Sequence, residues 1–412
     1  MATITELYQL KASLDELAQQ VRQVTNSLPQ SLDATLHDPD VLPDNDLVIT
    51  TRSVIDAMER LQLRLVPSVL LLADGFFGYL NSKALATVVQ LKVPDVLQHS
   101  GPSTASQLGE LVAVQPERIG QLMDTLVNNG IFTYDEDAEK FAHNRCSLLL
   151  CRDHWTQWHL WADLYPNRFF NISRSIPDAI HRDETRSAAQ IEYKTELSIF
   201  DYLASTGEIE QFHCTLGSGA VAMAQGLAVD YPWQELENAE LVELGGGSGD
   251  FLVSVMREHP SLRGSLVDLQ HVIELLQPKF DDPNGSFTDV ASRIVHLYVG
   301  DFFDDILPAS CYMIKWCLHN WMDNDVVRIL RNARNKLIMS PTSRFIIFES
   351  VKESGRNGRL PRYGDLVMMM TVNGKERSRK DWARLANLSG WTLERVVNIR
   401  NSWVSAIDLR PM

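Results

Sequence analysis

The sequence predicts an α/β carboxyl-terminal half built on a mostly parallel sheet, preceded by a mainly α amino-terminal half. Three observations carry this. From residue 238 onward, short β-rich runs alternate with helical patterns, the order that builds a parallel sheet covered on both faces. One of these runs passes straight into Gly245-Gly246-Gly247-Ser248-Gly249-Asp250 and then into a helical pattern. Before residue 238, apolar residues recur at helical spacing and only one short two-stranded element interrupts them.

A chain of 412 residues exceeds one ordinary domain of roughly 100–200 residues. Three segments are expected: an N-terminal helix and linker over 1–48, a helical and winged-helix domain over 49–235, and a Rossmann-like α/β domain over 236–412. With 45% apolar and 22% charged residues, the composition is that of a globular protein. A net charge of −15 argues against nucleic acid or an anionic membrane as partner, because both select for clustered Lys and Arg. Cys146, Cys151, Cys214, Cys311 and Cys317 form an odd set without CxxC spacing, so neither a disulfide framework nor a metal site is expected. That usage fits a reducing, cytoplasmic setting. The first residues lack the continuous apolar stretch of a secretory leader, and no window reaches the ~18–20 apolar residues of a membrane span.

Along the N-terminal half, Ile4, Leu7, Leu10, Leu14, Leu17 and Val21 form one stripe of an amphipathic helix over 1–28. The Pro- and Asp-bearing stretch 29–48 reads as a linker, and a second helical region runs to about residue 90. Residues 91–150 read as helix, helix and a two-stranded wing: TASQLGELV, PERIGQLMDTLVNNG, then IFTYDEDAEKFAHN. The candidate recognition helix of this winged helix carries Arg118 beside Glu117 and Asp124, a poor surface for phosphates. The Trp-rich stretch 152–235 reads as helical, including HWTQWHLWADLY and IEYKTELSIFDYLAS.

The strands expected in the C-terminal half are AELVEL, GSLVDL, RIVHLYV, CYMIKW and RFIIFES, with WTLERVVNI and SWVSAIDLR as an antiparallel hairpin at the sheet edge. Glycines at the turn after the first strand, Gly245 and Gly247 among them, permit positive φ and let a ligand approach the backbone. Asp268 ends the next strand, where an acidic side chain accepts the two hydroxyls of a ribose. The G-x-G-x-G spacing differs from the dinucleotide G-x-G-x-x-G and favours an adenosyl-amino-acid ligand. After the third strand, Asp301 could read an adenine amino group and Phe302 stack on the ring, the alternative being that Asp301 caps a helix and Phe302 fills the core. The fourth strand carries Lys315-Trp316-Cys317-Leu318-His319-Asn320-Trp321, and catalytic groups of doubly wound sheets gather at such strand ends.

The segments LVELGGGSGDF, VGDFF, IKWCLHNWMDND and NGKERSRKDW resemble those of the plant caffeate-type and fungal small-molecule O-methyltransferases, which use S-adenosylmethionine. The likeness runs over residues 90–410, with LKVPDVL, the wing, FDYLAS and ANLSGW also in order. It implies a Rossmann-like methyltransferase domain behind a winged-helix dimerisation domain, a homodimer, and a small-molecule acceptor. By resemblance, Gly245, Asp268, Asp301, Phe302 and Lys315 match cofactor contacts, and His319 matches the general base. Glu349 and Glu376 match the two acids beside that base, and Trp316, Asn320 and Met368 match the wall of the acceptor pocket. Such a site has little to do beyond aligning an oxygen and removing its proton, because a sulfonium methyl is already a strong electrophile.

Two positions depart from the family's pattern. Asn320 stands where Asp is common, and Gln270 where the strand usually ends in Pro. The fungal family also includes pericyclases that bind S-adenosylmethionine without consuming it, in which His319 or His143 would polarise a carbonyl. The intact set of His319, Glu349 and Glu376 favours methyl transfer over that alternative.

Overall fold

A computed structural model describes residues 4–27, 36–236, 238–355 and 358–412. The chain divides into two compact units, 1–57 and 58–412. In the first, a helix spans Ile4–Ser27. Of its expected stripe, Ile4 and Leu17 are exposed and Leu10 and Leu14 half-buried, while the side chains of Leu7 and Val21 lie outside the described residues. Part of the expected linker, 29–35, also lies outside them. The linker ends earlier than the sequence implies: a helix begins at Asn45, where the Asp44 carboxylate accepts from Leu47 N at 3.0 Å. A cap of this kind satisfies one of the first-turn donors and starts the helix.

In the second unit, the helix Ser68–Gln90 has two characters. Its first half exposes Val69, Leu72, Phe76 and Phe77, and its second half buries Ala84, Ala86, Val88 and Val89. Val88 packs with Val93, Leu108, Ile119, Met123, Phe132 and Phe141. These come from the helices Val93–Ser100, Ala105–Leu111 and Pro116–Asn128 and from the antiparallel pair β1 (Phe132–Asp135) and β2 (Lys140–His143). Thr104 opens the second of these helices with a reciprocal cap to Gln107, and Pro116 opens the third.

The Trp-rich region is helical but broken. Trp158–Leu164 runs through a π turn at Tyr165–Phe169 into Phe170–Ser173. The stretch IEYKTELSIFDYLAS, expected to be helical, is covered by two helices, Ala188–Tyr193 and Ile199–Ser205. Lys194 turns left-handed at φ 52°, and the Ser198 hydroxyl accepts from Asp201 N at 3.1 Å. A serine that bonds the backbone ahead of it starts a new helix instead of continuing an old one. The long helix Ile209–Val229 follows.

The sheet contains β3 (Glu240–Leu244), β4 (Arg263–Asp268), β5 (Ile294–Val299), β6 (Cys311–Lys315), β7 (Arg344–Glu349), β10 (Trp391–Asn398) and β11 (Ser405–Pro411). Their order is β10-β11-β7-β6-β3-β4-β5. The five strands from β7 to β5 are parallel, and β11 pairs antiparallel with both β7 and β10. Chain order reverses at β3, with β4 on one side and β6 on the other, so a crevice opens at the carboxyl end of β3. A separate two-residue ladder joins β8 (Val351–Lys352) to β9 (Arg377–Ser378). Among the described residues, no single helix is long and apolar enough to cross a membrane.

Candidate active site and cofactor pocket

The crevice is floored by the glycine turn. Gly245, Gly247 and Gly249 have φ of 65°, 55° and 80°, a region that costs a side-chain-bearing residue about 1–2 kcal/mol. A Cβ on Gly245 would lie 3.5 Å from both the Phe302 ring and Cys317 Sγ, whereas Gly247 faces open space. Asp268 stands at the end of β4 and accepts from Gly247 N at 2.9 Å and Leu269 N at 2.7 Å, which fixes its carboxylate at the lip of the turn. Asp301 accepts from Phe303 N at 2.8 Å in the turn after β5. Lys315 ends β6, its ammonium 4.6 Å from the Trp316 ring centroid and 5.7 Å from that of Phe251. Burial lowers its pKa, and the Glu243 carboxylate opposes the shift.

Glu243 was not singled out from the sequence. It is buried on β3 with one carboxylate oxygen unpartnered, and burial pushes its carboxyl up to about 8 despite Lys315. The signal was available: an acid two positions before the glycine turn, between Val242 and Leu244 on a strand whose other buried residues are apolar. An open glycine cradle, a carboxylate at its lip and an orphaned buried carboxyl fit the sugar and the cationic amino-acid end of an adenosyl amino acid.

Beside this crevice stands His319, on the 3₁₀ turn Leu318–Asn320 after β6. Its side chain is 12% exposed, and its Nδ1 lies 2.8 Å from Glu376 Oε1 and 3.1 Å from Glu349 Oε2, both acids being buried. Glu349 ends β7, and its other oxygen accepts from Cys317 N at 2.9 Å and His319 N at 3.3 Å. The ladder pairs Val351 with Arg377 and so sets the two acids side by side. Gly374 permits the approach, since a Cβ there would lie 2.0 Å from His319 O. Burial alone would lower the pKa of His319, but the two carboxylates and the hydrogen bond to Glu376 hold it up at about 9. Burial raises that of Glu349, with His319 opposing. Nε2 of His319 has no partner among the described residues, so it is the nitrogen left for an acceptor.

Trp316 takes a left-handed φ of 46° at the strand end. Its ring meets those of Trp161 at 6.2 Å and Trp403 at 6.4 Å, and Trp161 meets Tyr165 at 5.3 Å. Tyr165 in turn feels the charge of Glu376. Trp403 was read within a strand, but it lies in the turn just before β11. The pairing Ser405↔Glu349 places that turn at the carboxyl end of β7. Arg400 anchors it by donating to Asp230 at 2.8 Å. Asn320 is half-buried on the His319 turn, and Met368 half-buried on the helix Arg359–Val372.

His143 is a different case. Its ring nitrogens lie 2.9 Å from Ser147 Oγ and 2.9 Å from Pro94 O, in the wing region. Both ring nitrogens thus have local partners.

Residues 234–392 match the model of the O-methyltransferase domain, and residues 73–153 that of the O-methyltransferase dimerisation domain. The chain belongs to the O-methyltransferase family. It is 53% identical to O-methyltransferase gliM of Aspergillus fumigatus, over 99% of this chain and 96% of that protein. It is 45% identical to O-methyltransferase verK of Clonostachys rogersoniana, over 90% and 91%. Among solved structures, CalO1, a methyltransferase in calicheamicin biosynthesis in its S-adenosylhomocysteine-bound form, superposes with a TM-score of 0.71 at 25% identity, covering 84% of this chain and 98% of that one. This is an S-adenosylmethionine-dependent O-methyltransferase of the secondary-metabolite type, with a helical dimerisation region ahead of its Rossmann-like domain.

Proposed function

We propose that this O-methyltransferase methylates a hydroxyl of a small aromatic or polyketide-type natural product, with His319 as general base. The observation that carries the reading is a histidine whose Nδ1 is held by two buried carboxylates while Nε2 is left unpartnered. S-adenosylmethionine, when bound, supplies a methyl group on a sulfonium. Gly245, Gly247, Glu243, Asp268, Asp301, Phe302 and Lys315 would hold it. His319 Nε2 takes the hydroxyl proton, and Glu349 and Glu376 fix the ring and stabilise the imidazolium that forms. With a pKa near 9, the neutral imidazole is the minor form at pH 7 but a strong base when present. Trp161, Tyr165, Trp316 and Trp403, with Asn320 and Met368, form the wall that a flat acceptor would lie against.

Methyl-labelled cofactor, incubated with hydroxylated aromatic and polyketide candidates, tests this. Label in the product, with one S-adenosylhomocysteine per turnover, is expected. A catalysed mass-neutral change or loss of water without label transfer would favour the pericyclase alternative instead.

We further infer a homodimer. The exposed Val69, Leu72, Phe76 and Phe77 at the edge of the matched dimerisation region support it, since burying such a face removes apolar surface from water. Light scattering should give twice the 46.6 kDa of the chain, and a monomer at micromolar concentration would refute the inference.

A further inference from the structure

Arg377 follows Glu376 directly and is among the largest fully buried side chains. Its guanidinium is committed to three backbone carbonyls and one carboxylate. Nη1 donates to Leu318 O at 3.1 Å and to Lys375 O at 3.3 Å, and Nη2 donates to Trp321 O at 2.6 Å. Nε donates to Asp323 Oδ1 at 3.1 Å, and the guanidinium lies over the Trp382 ring at 5.4 Å. Leu318 and Trp321 flank the two residues His319 and Asn320, so both sides of the turn are fastened to the segment that presents Glu376. Lys375 N adds a third tie, to His319 O at 2.8 Å. Asp323 is held from outside by Lys375 and Arg384. A planar fork with five donors can bridge two carbonyls and a carboxylate at once, whereas a lysine ammonium at the same place is a single point.

We propose that Arg377 is a positioning residue for methyl transfer: its fork sets the His319 turn at hydrogen-bonding distance from Glu376, and its charge offsets one of the two carboxylates that His319 faces. The proposal rests on His319 being the base. The groups around that imidazole define the balance. Glu349 approaches from β7, and Glu376 and Arg377 from the β9 segment. Tyr165 lies beyond Glu376, Lys375 and Asp323 beyond Arg377, and Lys315 faces Glu349. Arg377 is the cation that acts on His319 directly, opposing the carboxylates.

Nuclear magnetic resonance of isotope-labelled histidine in the full chain tests this without any acceptor, so its outcome is separate from that of the label-transfer experiment. The His319 signal is assigned by its loss in H319N. Two features of it are read in wild type, Arg377→Lys and Arg377→Met: the titration midpoint, and the downfield Nδ1 proton held by Glu376. Calorimetric S-adenosylmethionine binding reports that each variant is folded. Arg377→Met should raise the midpoint by about 0.5–1 pH unit, since a cation that opposes the imidazolium is gone. Arg377→Lys should keep the midpoint within ~0.3 unit, yet lose the Nδ1 proton to exchange because the turn is no longer clamped. A folded Arg377→Met with the wild-type midpoint, or an Arg377→Lys that retains the protected proton, overturns the proposal. Should Arg377→Met fail to bind cofactor, the lysine variant decides alone.

Discussion

Strand β7 carries a charged cluster at each end, the first reaching the surface through Glu235 and Arg395, and the two are built on opposite plans. At its start, Arg344 donates to Tyr231 Oη at 2.8 Å and Glu235 at 2.9 Å and lies 3.4 Å from Asp408. Arg395 closes the group on Glu235 at 2.6 Å and Asp408 at 3.0 Å. Each carboxylate there meets at least two guanidinium groups, and the Arg395 hydrogen bonds hold Glu235 down at about 2. At the other end, two carboxylates converge on one imidazole. Glu349 Oε2 and Glu376 Oε2 lack a hydrogen bond, as Asp408 Oδ1 does in the first cluster, but here no guanidinium among the described residues meets either acid. The first cluster has its charges matched and locks strands β7, β10 and β11 to the segment before β3. The second has an excess of acceptors, and that excess is what makes a proton's arrival at His319 favourable. Charge balance and burial together separate this structural ion cluster from the reactive one.

Breaking each cluster should therefore have different consequences. Arg344→Met leaves buried acceptors short of a partner and should cost on the order of 3 kcal/mol of stability, read by urea unfolding. Turnover per folded molecule should change less than about twofold, because the cluster lies at the opposite strand end. Loss of activity without loss of stability would break the comparison.

Glu376→Gln should do the reverse. Removing one of two like charges should alter stability by no more than about 1 kcal/mol while shifting the pH profile. The folded-state pKa of His319 lies above its ordinary 6.5. Its stabilising contribution is thus fully present below pH 6.5 and is lost as pH rises through about 9. The base form rises over the same range, so kcat/KM for the acceptor, which reports the enzyme before the acceptor binds, should climb to a limb near 9. Glu376→Gln should move that limb down by about 1 unit, and an unmoved limb would assign it to another group.

What could be read from the sequence was what is local in the chain. The strands, the glycine turn, Asp268 at a strand end, and the His319 segment each carry their signal within a few neighbouring residues. The structure brings them together as that reading implied, with the sheet order placing the glycine turn at the reversal point. The acids Glu349 and Glu376 were reached only through family resemblance, because nothing near them in the chain marks them as partners of His319. Trp403 was missed because its role depends on β11 pairing with β7, a contact made far along the chain. Tyr165 sits on a π turn that helical periodicity does not reveal, and Arg377 looks like any surface arginine until its three carbonyls are seen. His143 shows what the sequence leaves out. A histidine beside a wing resembles a free ligand until Ser147 and Pro94 are found on its two nitrogens.

The central claim is that His319 acts on the acceptor's proton and takes no part in holding the cofactor. His319→Ala tests it most directly, with turnover and S-adenosylmethionine affinity measured on the same preparation. Turnover should fall by about 10²–10⁴, the usual range for a lost general base, while cofactor affinity stays within about twofold. Undiminished methyl transfer, or a parallel collapse of cofactor binding, would contradict the account.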